Sequence, residues 1–444
     1  MRTYYFISDL HIGGDESLGV CDFEEQLIEF FEFLGNKQDE QVELIIVGDA
    51  FGLWEFTLVE GKDKLDVLIS QFPYIFSSFK RVGEKIKITL LPGNHDYELA
   101  CYPEYVEILK KYNIYLEQTA SILRELGDSQ LWIEHGSQYD QINRIPDFGN
   151  PYAQPFGYHV TSKAVGAAGQ FSEKGRYNWL KDIQSVYPTE DIPHWLVSNY
   201  FYKEMSPYLR IILLQFLFLI SINLIVLIGA ALDALYVTET NLFLNNRLFE
   251  SLGVFGSLFQ LMLTVNAVIL AIILILTIPV GLIIRDLKET IKRFGILVDP
   301  AELVGEKESI YIDAAKEIFD NNPRVSAFIY GHTHSPSVTT IERKAVVNTG
   351  TWMKQFKTVK PHFGYLPEIY IPSYQLNYFR IFEERGDIVI EYHKIYKKPA
   401  QELTLIQRLL TFHHKQSKII NIPERQSFNI QEAGWVTNFI PLKL

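Results

Sequence analysis

Five short segments carry residue types able to hold metal ions. They are Asp9-Leu10-His11, Gly48-Asp49, Gly93-Asn94-His95-Asp96, His135-Gly136 and Gly331-His332-Thr333-His334. Carboxylates, imidazoles and an amide oxygen suit divalent Mn, Fe, Zn or Co. In Asp9-x-His11 the side chains at i and i+2 project the same way if the strand continues, and His332 and His334 repeat that spacing. Glycines beside these residues let the backbone approach an ion closely. Two ions about 3.5–4 Å apart can bind one phosphate together and acidify a shared water for in-line attack on phosphorus. Taken singly, Asp-x-His or His-x-His is often a surface pair, and Gly-Asp is commonly a turn. Asn-His-Asp alone reads as a locally capped loop. Together they concentrate five of the eleven histidines.

Each segment follows an apolar, strand-like stretch, which places the candidate ligands on loops at strand C-termini, where open α/β sheets build their sites. Residues 3–8 read as the first strand. Residues 22–34 have helical spacing, with Phe23, Leu27, Phe30, Phe31 and Leu34 on one face. Asp22 is the expected N-cap of this helix, and Gly35-Asn36 its end. Leu44–Val47 and Ile86–Leu91 are short apolar runs of the buried-strand type, with helical spacing around 63–81 between them. Further strands are expected within 121–134, at Val325–Tyr330 and at Ala345–Asn348. A hairpin is expected over 375–395, turning at Gly386-Asp387. The alternation argues for an α/β core with parallel strands. Residues 137–207 are rich in Gly, Pro, Tyr and Asn, and loops with short helices are expected there. The stretch around Phe148, Tyr152, Phe156 and Tyr158 suits either a wall or lid near the site or packing at a membrane interface.

Two uncharged runs stand apart. Ile211–Leu232 spans about 33 Å as a helix, enough for a bilayer core of about 30 Å. The second run, Ser251–Ile284, is longer, and Pro279 near its end is a candidate kink. The competing reading, two core helices of a soluble protein, needs unusually long helices that are apolar all round. Lys203 and Arg210 precede the first run, and Arg285, Lys288, Lys292 and Arg293 follow the second, whereas the connection holds only Arg247. Both outer flanks are therefore expected to be cytoplasmic. Asn223 and Asn266 inside the runs are expected to hydrogen-bond helix to helix rather than to line a path.

The chain of 444 residues is 48% apolar, so it can bury a sizeable core. Its net charge of −12 argues against a general nucleic-acid binder. An anionic substrate is compatible with that charge, because bound cations invert the local field. With two cysteines, Cys21 and Cys101, a disulfide framework is not expected, and a reducing compartment is the simpler reading. The N-terminus reads as a strand rather than a signal peptide.

The five segments resemble those of the calcineurin-like metallophosphoesterases over about residues 1–140 and 320–395. The resemblance implies two sheets packed face to face with helices outside. It also implies that Asp9, His11 and His334 hold one metal, that Asn94, His135 and His332 hold the other, and that Asp49 bridges them. His95 would stabilise charge near the phosphate or protonate the leaving oxygen, and Asp96 would orient His95. Many members have a histidine or an acidic residue after His135-Gly136, where this chain has Ser137. Residues 48–55 and 331–336 look like those of the UDP-diacylglucosamine hydrolases of lipid A synthesis. Those enzymes usually carry arginine at the place of His95, which weakens the transfer of their substrate.

The expectation is thus an α/β chain: a two-sheet metallophosphoesterase sandwich flanked by helices, with an inserted two-helix transmembrane hairpin. The expected boundaries are 1–136 and 286–398 for the sandwich, 137–207 for a loop or lid region, 208–285 for the hairpin and 399–444 for a tail. The expected activity is hydrolysis of a phosphate mono- or diester, lipid-linked ones included, by a metal-activated hydroxide. The expected cofactors are two divalent ions, Mn favoured. The alternative is a non-catalytic metal-binding membrane scaffold of the same fold.

Overall fold

The computed structural model describes residues 2–15, 21–37, 41–159, 161–163, 168, 179–187, 191–237, 242–243, 247–293, 300–361, 366–398, 403–411 and 422–429. The chain divides into two compact units. One comprises residues 1–204, 307–362 and 366–444, and the other residues 205–306 and 363–365.

The first unit holds fourteen described strands. They begin with β1 (Arg2–Ile7), β2 (Gln41–Val47), β3 (Lys87–Leu91) and β4 (Ile114–Leu116). Then come β5 (Ser121–Leu126), β6 (Ser129–Glu134), β7 (Val325–Tyr330), β8 (Ser337–Ile341) and β9 (Lys344–Asn348). The last are β10 (Gln355–Val359), β11 (Ile369–Ser373), β12 (Asn377–Glu384), β13 (Asp387–Lys394) and β14 (Arg425–Asn429). One sheet runs β14-β13-β12-β1-β2-β3-β4, a second runs β5-β6-β7-β9-β8, and β10 and β11 pair separately. The four strands β1 to β4 are parallel, as expected, whereas β12, β13 and β14 add antiparallel edges.

The two large sheets share a core. Tyr4, Phe6, Ile45, Val47 and Leu91 of the first meet Leu131, Ile133, Ile329 and Val347 of the second. On the outer face of the first sheet lie α1 (Glu24–Gly35), α2 (Asp63–Gln71) and α3 (Pro73–Gly83). Helical spacing over 63–81 is thus realised as two helices, because Phe72 leaves helical geometry ahead of Pro73. The outer face of the second sheet is covered by Tyr311, Ala315, Ile318 and Phe319 of the helix Pro300–Asn321. This is the two-sheet α/β sandwich flanked by helices that the resemblance implies.

Three local expectations shift. Asp22 does not cap α1. The cap position is Phe23 without a side-chain bond, and the Asp22 carboxylate is drawn instead to Lys354 at 2.8 Å and to the Tyr374 hydroxyl at 3.0 Å. The hairpin turns at Arg385-Gly386, one residue early, with φ of 57° and 87° as a tight primed turn requires. Part of the tail joins the fold, because β14 pairs antiparallel with β13.

Among the described residues, the second unit holds two helical stretches long and apolar enough to cross a membrane, Pro207–Ala234 and Gly253–Ile283, the latter within the helix Gly253–Arg293. Asn223 Nδ2 donates to Asn266 Oδ1 at 2.8 Å and to the Leu263 carbonyl at 3.1 Å. Asn266 Nδ2 donates to the Phe216 carbonyl at 3.1 Å. The two amides therefore join helix to helix, as expected.

Candidate metal centre

All five segments converge where the strands end. β1 delivers Asp9 and His11, β2 delivers Asp49, β3 delivers Asn94 and His95, β6 delivers His135, and β7 delivers His332 and His334. The loops are held tightly. Asp9, His11, Asp49, His332 and His334 all have positive φ, between 45° and 66°, which L residues adopt only when their surroundings impose it. At Gly48, also at positive φ, a Cβ would lie 2.3 Å from His135 Nδ1, so only glycine allows that ring to sit there.

The ligating atoms gather in three overlapping groups, each within 4.8 Å: Asp9, His11 and His334; His11, Asp49 and His95; and Asp49, His135 and His332. Asp9 Oδ2 is occupied by the Ser8 hydroxyl and by the His332 N–H at 3.1 Å. Its Oδ1 is buried without a hydrogen-bond partner and faces His334 Nε2 at 3.3 Å and His11 Nε2 at 3.9 Å. Asp49 divides its oxygens similarly. Oδ1 accepts from the His95 N–H at 2.7 Å, while Oδ2 lies 3.2 Å from His135 Nε2 and 3.6 Å from His11 Nε2. Asn94 Oδ1 stands 3.0 Å from His135 Nε2. An orphaned buried carboxylate oxygen facing imidazole nitrogens fits a divalent cation, and so does a second carboxylate oxygen set between two imidazoles.

Outer contacts select tautomers. His135 Nδ1 donates to the Val47 carbonyl at 2.9 Å, which leaves Nε2 as the nitrogen open to a cation. His332 Nε2 donates to Asp140 Oδ2 at 3.0 Å, which leaves Nδ1. Burial raises the carboxyls of Asp9 and Asp49, but the facing imidazoles outweigh it and hold both below their ordinary values. His11 is pushed down by burial and by the charge of His95.

The expected role of Asp96 is corrected. Its carboxylate is taken up by backbone N–H groups rather than by the His95 ring. Its Oδ2 accepts from the N–H groups of Ala50 and Phe51 at 2.8 and 3.2 Å, and its Oδ1 from Gly93 N–H at 2.6 Å. It therefore locks the loop of Asp49 to the loop of Asn94. Burial, together with the charge of Asp49, raises it to about 7. The partner of His95 is Glu55, whose Oε1 lies 2.8 Å from Nδ1. Burial disfavours a charged His95, but the Glu55 carboxylate prevails and raises it to about 9. Trp54 packs on the same ring, with centroids 4.3 Å apart.

Sequence reasoning missed Glu55, Asp140 and Tyr187. Glu55 lies six residues after Asp49, at the end of the segment 48–55, but no role is read for it there. Asp140 follows His135 closely, in the place where only Ser137 drew notice. Tyr187 packs its ring 4.8 Å from that of His334. Of the aromatic stretch, Tyr158 reaches Trp54 at 5.7 Å, Phe148 packs on Tyr97 at 5.7 Å, and Tyr152 and Phe156 are exposed.

The family model of the calcineurin-like phosphoesterases matches residues 2–214, a range that holds four of the five segments, and bears out the resemblance there; Gly331–His334 lies beyond it. Residues 2–214 are thus similar to this family of phosphoesterases, and the grouped ligand atoms described above lie partly within them. No curated protein matches the chain. Among solved structures it is similar to a Streptococcus pneumoniae protein described as a predicted phosphoesterase, at 10% identity and TM-score 0.27, covering 90% of this chain and 94% of that one. It is also similar to the phosphopantetheinyl hydrolase of Mycobacterium tuberculosis, at 11% identity and TM-score 0.26, covering 79% and 90%. A third is GAP50, the anchor in the inner membrane complex of Plasmodium, at 11% identity and TM-score 0.31, covering 92% and 93%.

Proposed function

We propose that the protein is a membrane-anchored phosphoesterase with two divalent metal ions, hydrolysing a phosphate mono- or diester. The observation that carries this reading is the orphaned Asp9 Oδ1 and the shared Asp49 Oδ2 among converging imidazole nitrogens. Asp9, His11 and His334 would hold one ion, Asn94, His135 and His332 the other, and Asp49 both. Bound there, the ions would supply Lewis-acid charge stabilisation and a nucleophilic water near neutral pH. The remaining work falls to side chains. His95, hydrogen-bonded to Glu55, would give a proton to a leaving alkoxide, and its charge in the protonated form would offset that of a phosphate. Trp54 and Glu55 fix the plane of its ring.

The two long apolar helices support the anchor, and the basic flanks support cytoplasmic placement of the catalytic unit and of both termini. Anchoring makes a lipid or lipid-linked phosphoester an apt substrate. Detergent-purified full-length protein loaded with Mn²⁺ should hydrolyse bis(p-nitrophenyl) phosphate or p-nitrophenyl phosphate. It should also bind close to two ions per chain. Fewer than one ion per chain with no turnover would replace this reading by the non-catalytic scaffold. Reporter fusions between the two helices and at the C-terminus should lie on opposite sides of the membrane.

A further inference from the structure

A continuous run of rings crosses the candidate centre. Tyr158 meets Trp54 at 5.7 Å, Trp54 meets His95 at 4.3 Å, and His95 meets His11 at 4.5 Å. His11 meets His334 at 5.2 Å, and His334 meets Tyr187 at 4.8 Å. The middle of this arc carries candidate ligands and the candidate acid. Tyrosines flank these inner rings on both sides, and both come from the region 137–207. Tyr187 differs from the inner rings in exposure. Trp54 is 1% exposed and His11 5%, whereas Tyr187 is 42% exposed while its ring still lies at 37° to that of His334. A tyrosine whose only task was to pack would be more deeply covered. One that leaves ring surface in water beside a reacting centre is suited to meet a ligand.

The neighbouring chemistry narrows what it can meet. The same segment, 179–187, contributes Lys181 and Asp182 to a cavity beside His11. Lys181 Nζ already lies 3.8 Å from Asp22 Oδ1, and Lys354 in that cavity is paired with Asp22 and Asp182 at 2.8 and 2.9 Å. These cations are counter-charged and do not form a receptor for a second phosphate or a polyanionic group. Among the described residues of this segment, the ring of Tyr187 offers an aromatic face to the esterified group.

We propose that Tyr187 is a specificity-determining residue that packs its ring against a flat or apolar group esterified to the phosphate. This rests on the phosphoesterase reading above, but binding alone tests it. Full-length protein in detergent, loaded with Mn²⁺, is titrated calorimetrically with phenylphosphonate and with methylphosphonate, neither of which is hydrolysed. The wild type is expected to bind phenylphosphonate about tenfold tighter, the scale of one aromatic contact. Tyr187→Ala should narrow the gap to about threefold or less with Mn²⁺ content unchanged, and Tyr187→Phe should keep it. Three results would each overturn the proposal: no preference in the wild type (including no binding of either ligand), an undiminished preference in Tyr187→Ala, or loss of Mn²⁺ from that variant. The last would make Tyr187 a mere support for His334. A protein that shows the gap yet never cleaves phenyl phosphate would lose the phosphoesterase reading and keep this one.

Discussion

The two halves of the candidate centre are built from similar residues but braced differently. In the half made by Asn94, His135 and His332, each imidazole has an outer partner: the Val47 carbonyl for His135 and Asp140 for His332. In the half made by Asp9, His11 and His334, His11 Nδ1 is buried with no hydrogen-bond partner, and His334 rests against Tyr187. Outer partners fix ring orientation and tautomer before a cation arrives. The difference therefore teaches that both imidazoles of one half are braced by outer hydrogen bonds, whereas in the other half His11 has no such brace, so the first should hold its ion more firmly.

The most disruptive change should be Asp49→Ala. It removes the oxygen shared by both halves, so both ions should be lost together and turnover should fall by about 10³-fold or more. Metal analysis that still finds one tightly held ion would break the idea that Asp49 serves both sides. His95→Ala should lower turnover by about 10²–10⁴-fold while leaving metal content intact. If metal content falls with it, His95 belongs among the ligands. Next in size, Asp140→Ala should weaken the affinity of the His332 half for Mn²⁺ by about 10–100-fold and spare the other half. Competitive chelation that shows both ions weakening equally would erase the asymmetry.

A stability effect should mark the packed half. Lys354 is buried between Asp22 and Asp182 in the cavity beside His11. Lys354→Ala leaves those carboxylates without their cation and should cost about 3 kcal/mol, read as a lower midpoint in urea. The smallest effect is its pH signature. Burial raises the Asp22 carboxyl, but Lys354 outweighs that and holds it below its ordinary value of 3.8. A depressed carboxyl stabilises the fold above its unfolded value and loses that contribution as pH falls through the folded one. Wild-type stability should therefore decline below about pH 4 more steeply than that of Lys354→Ala. Parallel acid profiles would remove Lys354 from the account.

Much of this was legible in the chain itself. The strands before each candidate ligand appear as buried apolar runs, because a strand covered on both faces has no polar positions to spare. The two long helices are legible for a related reason, since length and lack of charge are properties of composition alone. The ligands themselves announced their types through local spacing, which survives in one dimension. What escaped were the long-range contacts that orient the candidate ligands and the candidate acid. Glu55 meets His95 from 40 residues away, Asp140 meets His332 from 192 away, and Asp96 turns from His95 to the loop of Asp49. Asp22 left its helix end for Lys354, because a buried ammonium binds a carboxylate more strongly than a helix N-terminus does. The sequence thus determined which residues can bind metal and which segments can be buried or span a bilayer. Only the tertiary structure decided which oxygen or nitrogen of each is free to do so, because that is set by partners the fold brings in from elsewhere.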